Sequence, residues 1–160
     1  MGRTVCFTGH RHIPDEEYKT LFDSLLHLIE QQILAGAAVF RTGGALGFDT
    51  MAALAVLSLR KRFPEVRLEL ILPCPSQTRG WSEDDTVLYE QIKAQADKVQ
   101  YVSTGYYKGV LQQRNRALVE GSDVCVAYLR NSSGGGTAYT AALALKQGLE
   151  LINLHDLIDA

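Results

Sequence analysis

The sequence predicts an α/β fold: one doubly wound domain over residues 1–160, with a mostly parallel sheet of about six strands and helices on both faces. Three observations carry this. Short apolar runs of strand length alternate with segments whose apolar residues recur at helical spacing, the pattern of βαβ units. Glycine-rich turns follow two of the strands and open helices. No linker, repeat or low-complexity segment interrupts the alternation.

Val5-Cys6-Phe7-Thr8 reads as the first strand and runs into Gly9-His10-Arg11. Pro14 followed by Asp15, Glu16 and Glu17 opens a helix, with acids where the helix dipole favours them. Tyr18, Leu21, Phe22, Leu25, Leu28, Ile29 and Ile33 recur at helical spacing, and Gly36 stands where a C-cap glycine would end it. Ala37-Ala38-Val39-Phe40 is the second strand, and Thr42-Gly43-Gly44-Ala45-Leu46-Gly47 the first glycine turn. A helix follows over 49–62, with almost no polar face, so it lies under a neighbour or in a subunit interface. The third strand covers 67–72 and stops at Pro73. Ser82 with Asp85 makes a near capping box for a helix reaching about Ala96. A strand over 99–102, a helix over 108–120, a strand over 124–129, the turn Ser132-Ser133-Gly134-Gly135-Gly136-Thr137, a helix over 138–147 and a strand over 149–154 complete the order. Short continuous apolar strands suit a sheet covered on both sides.

Composition excludes several classes. The chain is 46% hydrophobic and 21% charged, which is ordinary for a folded domain and excludes a disordered one. A formal charge of −2 speaks against a nucleic-acid partner on composition alone. No apolar run is long enough to span a membrane, and no signal peptide is read, so the expected compartment is cytoplasmic. Cys6 and Cys125 read as buried thiols, while Cys74 lies between two prolines in a loop without an evident base. The histidines lack ligand spacing, so neither a metal nor a cofactor is expected.

In doubly wound sheets, ligands sit beyond the carboxyl ends of the strands. That rule selects Thr8 to Arg11, the two glycine turns, the loop holding Gln77 and Trp81, and Tyr106, Tyr107 and Tyr128. Glycine admits close approach to the backbone, and a helix N-terminus offers unpaired N–H groups to an anion. Neither turn is a Walker loop or a dinucleotide fingerprint, because no Gly-Lys-Ser/Thr or Gly-x-Gly-x-x-Gly is present at either. Arg11 and Arg114 suit phosphate as fork-shaped donors, or are solvated surface residues. His10 reads either as a turn hydrogen-bonder or as a ligand contact. Asp49 either caps its helix or holds a ribose hydroxyl. Trp81 is a plug over the core or a stacking platform for a base.

The run Thr8-Gly9-His10-Arg11 with Gly43-Gly44-Ala45-Leu46-Gly47-Phe48-Asp49 resembles the YpsA-like branch of the SLOG superfamily. Pro73, Gln77 and Trp81, then Arg114-Asn115, Ser122-Asp123 and Gly135-Gly136-Thr137, match in the same order over nearly the whole chain. SLOG joins the DprA/SMF DNA-processing proteins with the Lonely Guy phosphoribohydrolases. The resemblance implies a Rossmann-like fold, self-association as a homodimer, and a pocket for a nucleotide or nucleotide-derived small molecule. Its expected ligand-binding residues are Thr8, Gly9, His10, Arg11, Gly43, Gly44, Gly47, Asp49, Gln77, Trp81, Arg114, Asn115, Gly134, Gly135, Gly136 and Thr137. Compared with the Lonely Guy motif, Arg114 stands at the arginine, Asn115 replaces the lysine, and Gly136-Thr137 match the Gly-Thr. Thr140 stands where that motif carries the glutamate that assists glycosidic cleavage. A binding protein acting as sensor or regulator is therefore favoured over a nucleotide N-glycosidase, for which Asp49 is the one candidate catalytic carboxylate. DprA-like DNA binding is the weaker alternative.

Overall fold

The computed structural model describes residues 2–130 and 135–158. The chain runs β1 (Arg3–Gly9), α1 (Asp15–Leu34), β2 (Ala37–Thr42), α2 (Phe48–Arg60), β3 (Arg67–Leu72), α3 (Glu83–Gln95), β4 (Lys98–Tyr101), α4 (Val110–Val119), β5 (Val124–Tyr128), α5 (Gly136–Lys146), β6 (Glu150–Asn153) and α6 (Leu154–Ile158). The six strands form one sheet in the order β4-β3-β2-β1-β5-β6. Every pairing is parallel. The α/β, Rossmann-like architecture expected from the sequence is the one observed.

Strand alternation sorts the core into two layers. Val5 and Phe7 of β1, Leu68, Leu70 and Leu72 of β3, and Val124, Val126 and Tyr128 of β5 point to the face carried by α1, α2, α3 and α6. Phe7 anchors that layer, 6.1 Å from the Phe40 ring and 6.3 Å from Phe48. Burying each such side chain stabilises the fold by about 1.5–3 kcal/mol. The opposite face is smaller: Cys6, Ile71 and Cys125 meet Leu118 and Val119 of α4 and Ala144 of α5. Cys6 and Cys125 are register partners there, and Cys74 is buried too, although the sequence puts it in a loop. No described helix is long and apolar enough to cross a membrane.

Four sequence expectations change. The apolar α2 is covered by α1, α3 and the sheet of its own chain, so its composition needs no partner subunit. β4 is an edge strand with all four residues exposed, so the sheet is not covered throughout. The last strand stops at Asn153, whose side-chain Oδ1 accepts from the His155 and Leu129 backbone N–H groups and starts the short α6 that apolar periodicity did not reveal. Asp49 does not cap α2: the N-cap is Gly47, with no side-chain bond, and Asp49 Oδ2 instead accepts from the Ala45 N–H at 3.1 Å. Ser82 does cap α3, accepting from Asp85 N.

Candidate functional site

Chain direction reverses between β1 and β5: from β1 the strands step outward through β2 to β4, and then the chain returns to β5 on the other side. The loops leaving these two strands must diverge, which opens a crevice at their carboxyl ends. The β1–α1 loop bridges it. His10 N–H donates to the Tyr128 carbonyl at 3.3 Å, and Phe48 N–H donates to the His10 carbonyl at 3.1 Å. Arg130 N–H donates to His10 Nε2 at 2.9 Å. His10 is therefore a loop fastener, the turn role read from sequence.

That bond requires a neutral imidazole acceptor. Burial first, then the positive charges of Arg130 and His155, hold the His10 pKa below its ordinary 6.5. The unfolded chain takes up a proton near 6.5 while the folded one does not, so stability falls as pH drops below 6.5 and levels off below the lowered folded value. Urea denaturation at pH 7.5 and 5.5 is expected to show this loss. A His10→Gln chain, which keeps an acceptor but cannot titrate, should lose less; equal pH losses in the two chains would contradict the assignment.

A cavity of about 460 Å³ occupies the crevice. Thr8, Gly9, His10 and Arg11 form its β1 wall. Ala45 and Asp49 supply the wall from the first glycine turn, and Gly136 and Thr137 the wall from α5. Gln112, Arg114 and Asn115 close it from α4. The α5 N-terminus begins after Gly135 at φ +91°, an N-cap residue with no side chain of its own to cap it. Among the described residues no side chain caps its first N–H groups at the cavity wall, the arrangement that favours an anion. Gly134 lies outside the described residues.

Arg114 is 5% exposed although charged. Its Nε donates to Asn115 Oδ1 at 2.8 Å and its Nη1 donates to the Gly43 carbonyl. Gln77 Nε2 donates to the same carbonyl at 3.3 Å. Burial pushes the Arg114 pKa down, and the Asp49 charge opposes that shift. Burial pushes the Asp49 carboxyl up, while Arg114, the Ala45 N–H and Arg11 pull it back. Burial is the larger influence on both, so the two groups share a dry, polar wall.

The glycines of the first turn serve packing in the loop, and Gly43, Gly44 and Gly47 do not line this cavity. A Cβ on Gly43 would stand 2.5 Å from the Arg114 guanidinium, and one on Gly44 2.4 Å from Leu72. A Cβ on Gly47 would stand 2.1 Å from the Arg11 carbonyl oxygen. Gly9 does line the cavity, yet its missing side chain makes room for the Phe48 ring, 2.4 Å from where a Cβ would be.

Gln77 and Trp81 face a second cavity of about 400 Å³, which shares Arg11 and Leu111 with the first. Trp81 meets Tyr89 edge to face at 5.4 Å and packs on the core, so the plug and the open ring face coexist in one side chain. Sequence reading missed Leu111 and Leu118, although they stand at i−3 and i+4 from Arg114 on one face of α4. It also missed Arg79. Three arginines (Arg11, Arg79 and Arg114) and one aspartate line the two cavities, a local excess of two positive charges in a chain of net charge −2.

The sequence profile of the YspA SLOG family matches residues 6–157. UPF0398 proteins of Bacillus thuringiensis (strain Al Hakam) and Bacillus cereus (strain Q1) are each 32% identical over 114 residues, 70% of this chain and 61% of theirs. The match thus spans less than two thirds of those relatives' length. DNA processing protein A from Helicobacter pylori, whose structure is described for its single-stranded DNA binding mode, is similar with a TM-score of 0.62 and 22% identity, over 94% of this chain and 64% of that one. The structural-genomics target TM1055 gives a TM-score of 0.57 at 16% identity, over 98% of this chain and 79% of that one. Both likenesses are of fold. A family match that takes in both glycine turns, Arg114 and the strands between them leaves a plain conclusion: the chain belongs to the YspA SLOG family.

Proposed function

We propose that the chain, acting as one domain, binds a phosphate-bearing nucleotide or nucleotide-derived small molecule in the first cavity, as a cytoplasmic sensor or regulator rather than a catalyst. The observation that carries this reading is the α5 N-terminus, opening behind Gly135, and the buried Arg114 fork around one cavity at the β1/β5 divergence. Both favour an anion, and helix dipole and guanidinium act most strongly where water is scarce. Thr8, Thr137 and Asn115 add uncharged hydrogen-bonding groups suited to sugar hydroxyls or phosphate oxygens.

Turnover is disfavoured by what stands where a cleaving carboxylate belongs. Thr140 is fully buried and its Oγ1 donates to the Gly136 carbonyl at 2.9 Å, so it is engaged inside α5. Asp49 is the only carboxylate among the described lining residues of the cavity, and it is tied to the Ala45 N–H. Binding of single-stranded DNA, described for the Helicobacter pylori protein, is less well supported for this chain. Of the Arg60-Lys61-Arg62 cluster, Arg60 pairs with Asp97 and Arg62 with Glu30, which neutralises most of it. A homodimer needs surface other than α2; α5 offers Tyr139 and Leu145, both exposed.

Thermal unfolding tests the reading. The four nucleoside monophosphates, the unphosphorylated nucleosides, NAD, ADP-ribose, inorganic phosphate and a short single-stranded DNA form the panel. A phosphorylated nucleotide at a hundredfold its Kd should stabilise by about 2.7 kcal/mol, or about 5–10 °C. Unphosphorylated nucleosides should not. Gly135→Val meets no described atom within 4 Å but is strained at φ +91°, so it should lower stability by about 1–3 kcal/mol without unfolding the chain, and abolish the shift. Equal shifts with nucleosides, or with Gly135→Val, would defeat the phosphate reading. Chromatography should detect little or no free base released from the monophosphates. Turnover of about 1 s⁻¹ or more, lost in Asp49→Asn, would make the chain an enzyme.

A further inference from the structure

The second cavity is chemically unlike the first. Trp81 and Tyr106 are its aromatic lining, and Tyr106 is 71% exposed, an apolar ring left uncovered by the chain's own packing. Among the described residues its charged lining is Arg11 and Arg79, with no carboxylate. The cavity lies at the mouth of the Pro73–Trp81 loop, beyond the carboxyl end of β3, one strand position past β2 from the phosphate-suited crevice at β1. Aromatic faces beside guanidinium groups, without an opposing acid, suit a flat ring system attached to an anionic group.

The two cavities meet at Arg11, the one charged residue lining both, with Leu111 of α4 below it. At about 460 and 400 Å³, each falls within the range of pockets that hold a whole small ligand. A mononucleotide seated in the first would leave the second unfilled. We propose that the second cavity is a stacking subsite for a second base, and that the ligand class is a dinucleotide: two nucleosides joined through a phosphate bridge. This rests on the nucleotide reading of the first cavity. One nucleoside lies in the first cavity beside Arg114 and the α5 N-terminus. The bridge crosses Arg11, and the second base stacks on Trp81 and Tyr106.

Titration calorimetry tests this with the adenosine, guanosine, cytidine and uridine monophosphates and the four symmetric dinucleoside diphosphates of the same bases. One dinucleoside diphosphate is expected to bind about tenfold or more tighter than its monophosphate, the scale of one base stacked on an aromatic side chain. Tyr106→Ala, at an exposed position, and Trp81→Leu, which keeps an apolar plug on Tyr89, should each bring the dinucleotide affinity down towards that of the monophosphate. Monophosphate affinity should stay unchanged. Equal affinities for the two ligand classes in the unaltered chain overturn the proposal, with the nucleotide reading intact. So does an equal loss for both in Tyr106→Ala, which means one nucleotide spans both cavities. Binding of neither class defeats the nucleotide reading and this proposal together.

Discussion

An Arg114→Met chain is expected to lose about 3 kcal/mol of folding free energy and one to two decades of ligand affinity. Methionine keeps the length and apolar stem of the side chain but removes the donors to the Gly43 carbonyl and Asn115 Oδ1. It also takes away the cation that most opposes the upward shift of Asp49. Asp49 already holds its proton to a higher pH when folded than its ordinary 3.8. Between those two values the folded state binds more protons than the unfolded one, so stability falls as pH rises through that window. Without Arg114 the folded value rises further and the window extends upward. The check is a double-mutant cycle by urea denaturation with Asp49→Asn. Coupling of about 1 kcal/mol is expected, the double variant being more stable than the single losses add up to. Additivity within about 0.5 kcal/mol would show that Asp49 and Arg114 do not act on each other.

Gly47→Ala should be more damaging still, at about 4 kcal/mol for one methyl group. Gly47 has φ +80° and ψ −121°, a backbone conformation that L residues avoid. Its new Cβ would stand 2.1 Å from the Arg11 carbonyl oxygen and 2.4 Å from the carbonyl carbon. Backbone atoms cannot rotate aside as a side chain can, and this carbonyl lies in the loop that bridges β1, β5 and α2. Gly36→Ala is the comparison: its φ is +106°, but nothing lies within 4 Å of its Cβ, so strain of about 1 kcal/mol is expected alone. If the urea midpoint of Gly47→Ala drops no further than that of Gly36→Ala, close packing at Arg11 is not what requires glycine.

What the sequence disclosed follows the reach of each signal. β3 is bounded at 67–72 as read, because Pro73 ends it and every side chain from Leu68 to Leu72 is at least half-buried. Alternation of elements disclosed the α/β fold, and the strand-then-glycine pattern picked the carboxyl edge. Strand order was not legible, since nothing local in β5 states that it pairs with β1 rather than β4. The pairing residues lie 119 positions apart, as at Thr4 and Asp123. Glycine's meaning was read one way where the structure has two: Gly135 supplies a positive φ with no described atom within 4 Å of its Cβ position, whereas Gly43 and Gly47 make room for Arg114 and Arg11. Composition cannot separate those cases, because the atoms that press on a glycine come from other segments. Asp49 was legible as a site residue but not as a buried one, for the residues around it come from distant segments, Tyr89 and Ile92 of α3 on one side and Arg114 of α4 on the other.

The pairing of β1 with β5 also concentrates the cost of closing the sheet at one seam. Strands β1 to β4 join through neighbours in sequence, each closing a loop of one helix. β5 returns to β1 only after three strands and four helices have intervened, the longest closure in the sheet and the slowest to reward its entropy cost. The crevice lies on that seam, so a chain with β1–β4 assembled and β5 undocked has a nearly complete first core layer and no phosphate wall. Binding competence then requires that β5 be docked. A ligand held across the seam acts as a clasp on β5 and on the β6 strand that joins the sheet through it, and the rate at which β5 detaches sets the longest time for which such a ligand can stay bound.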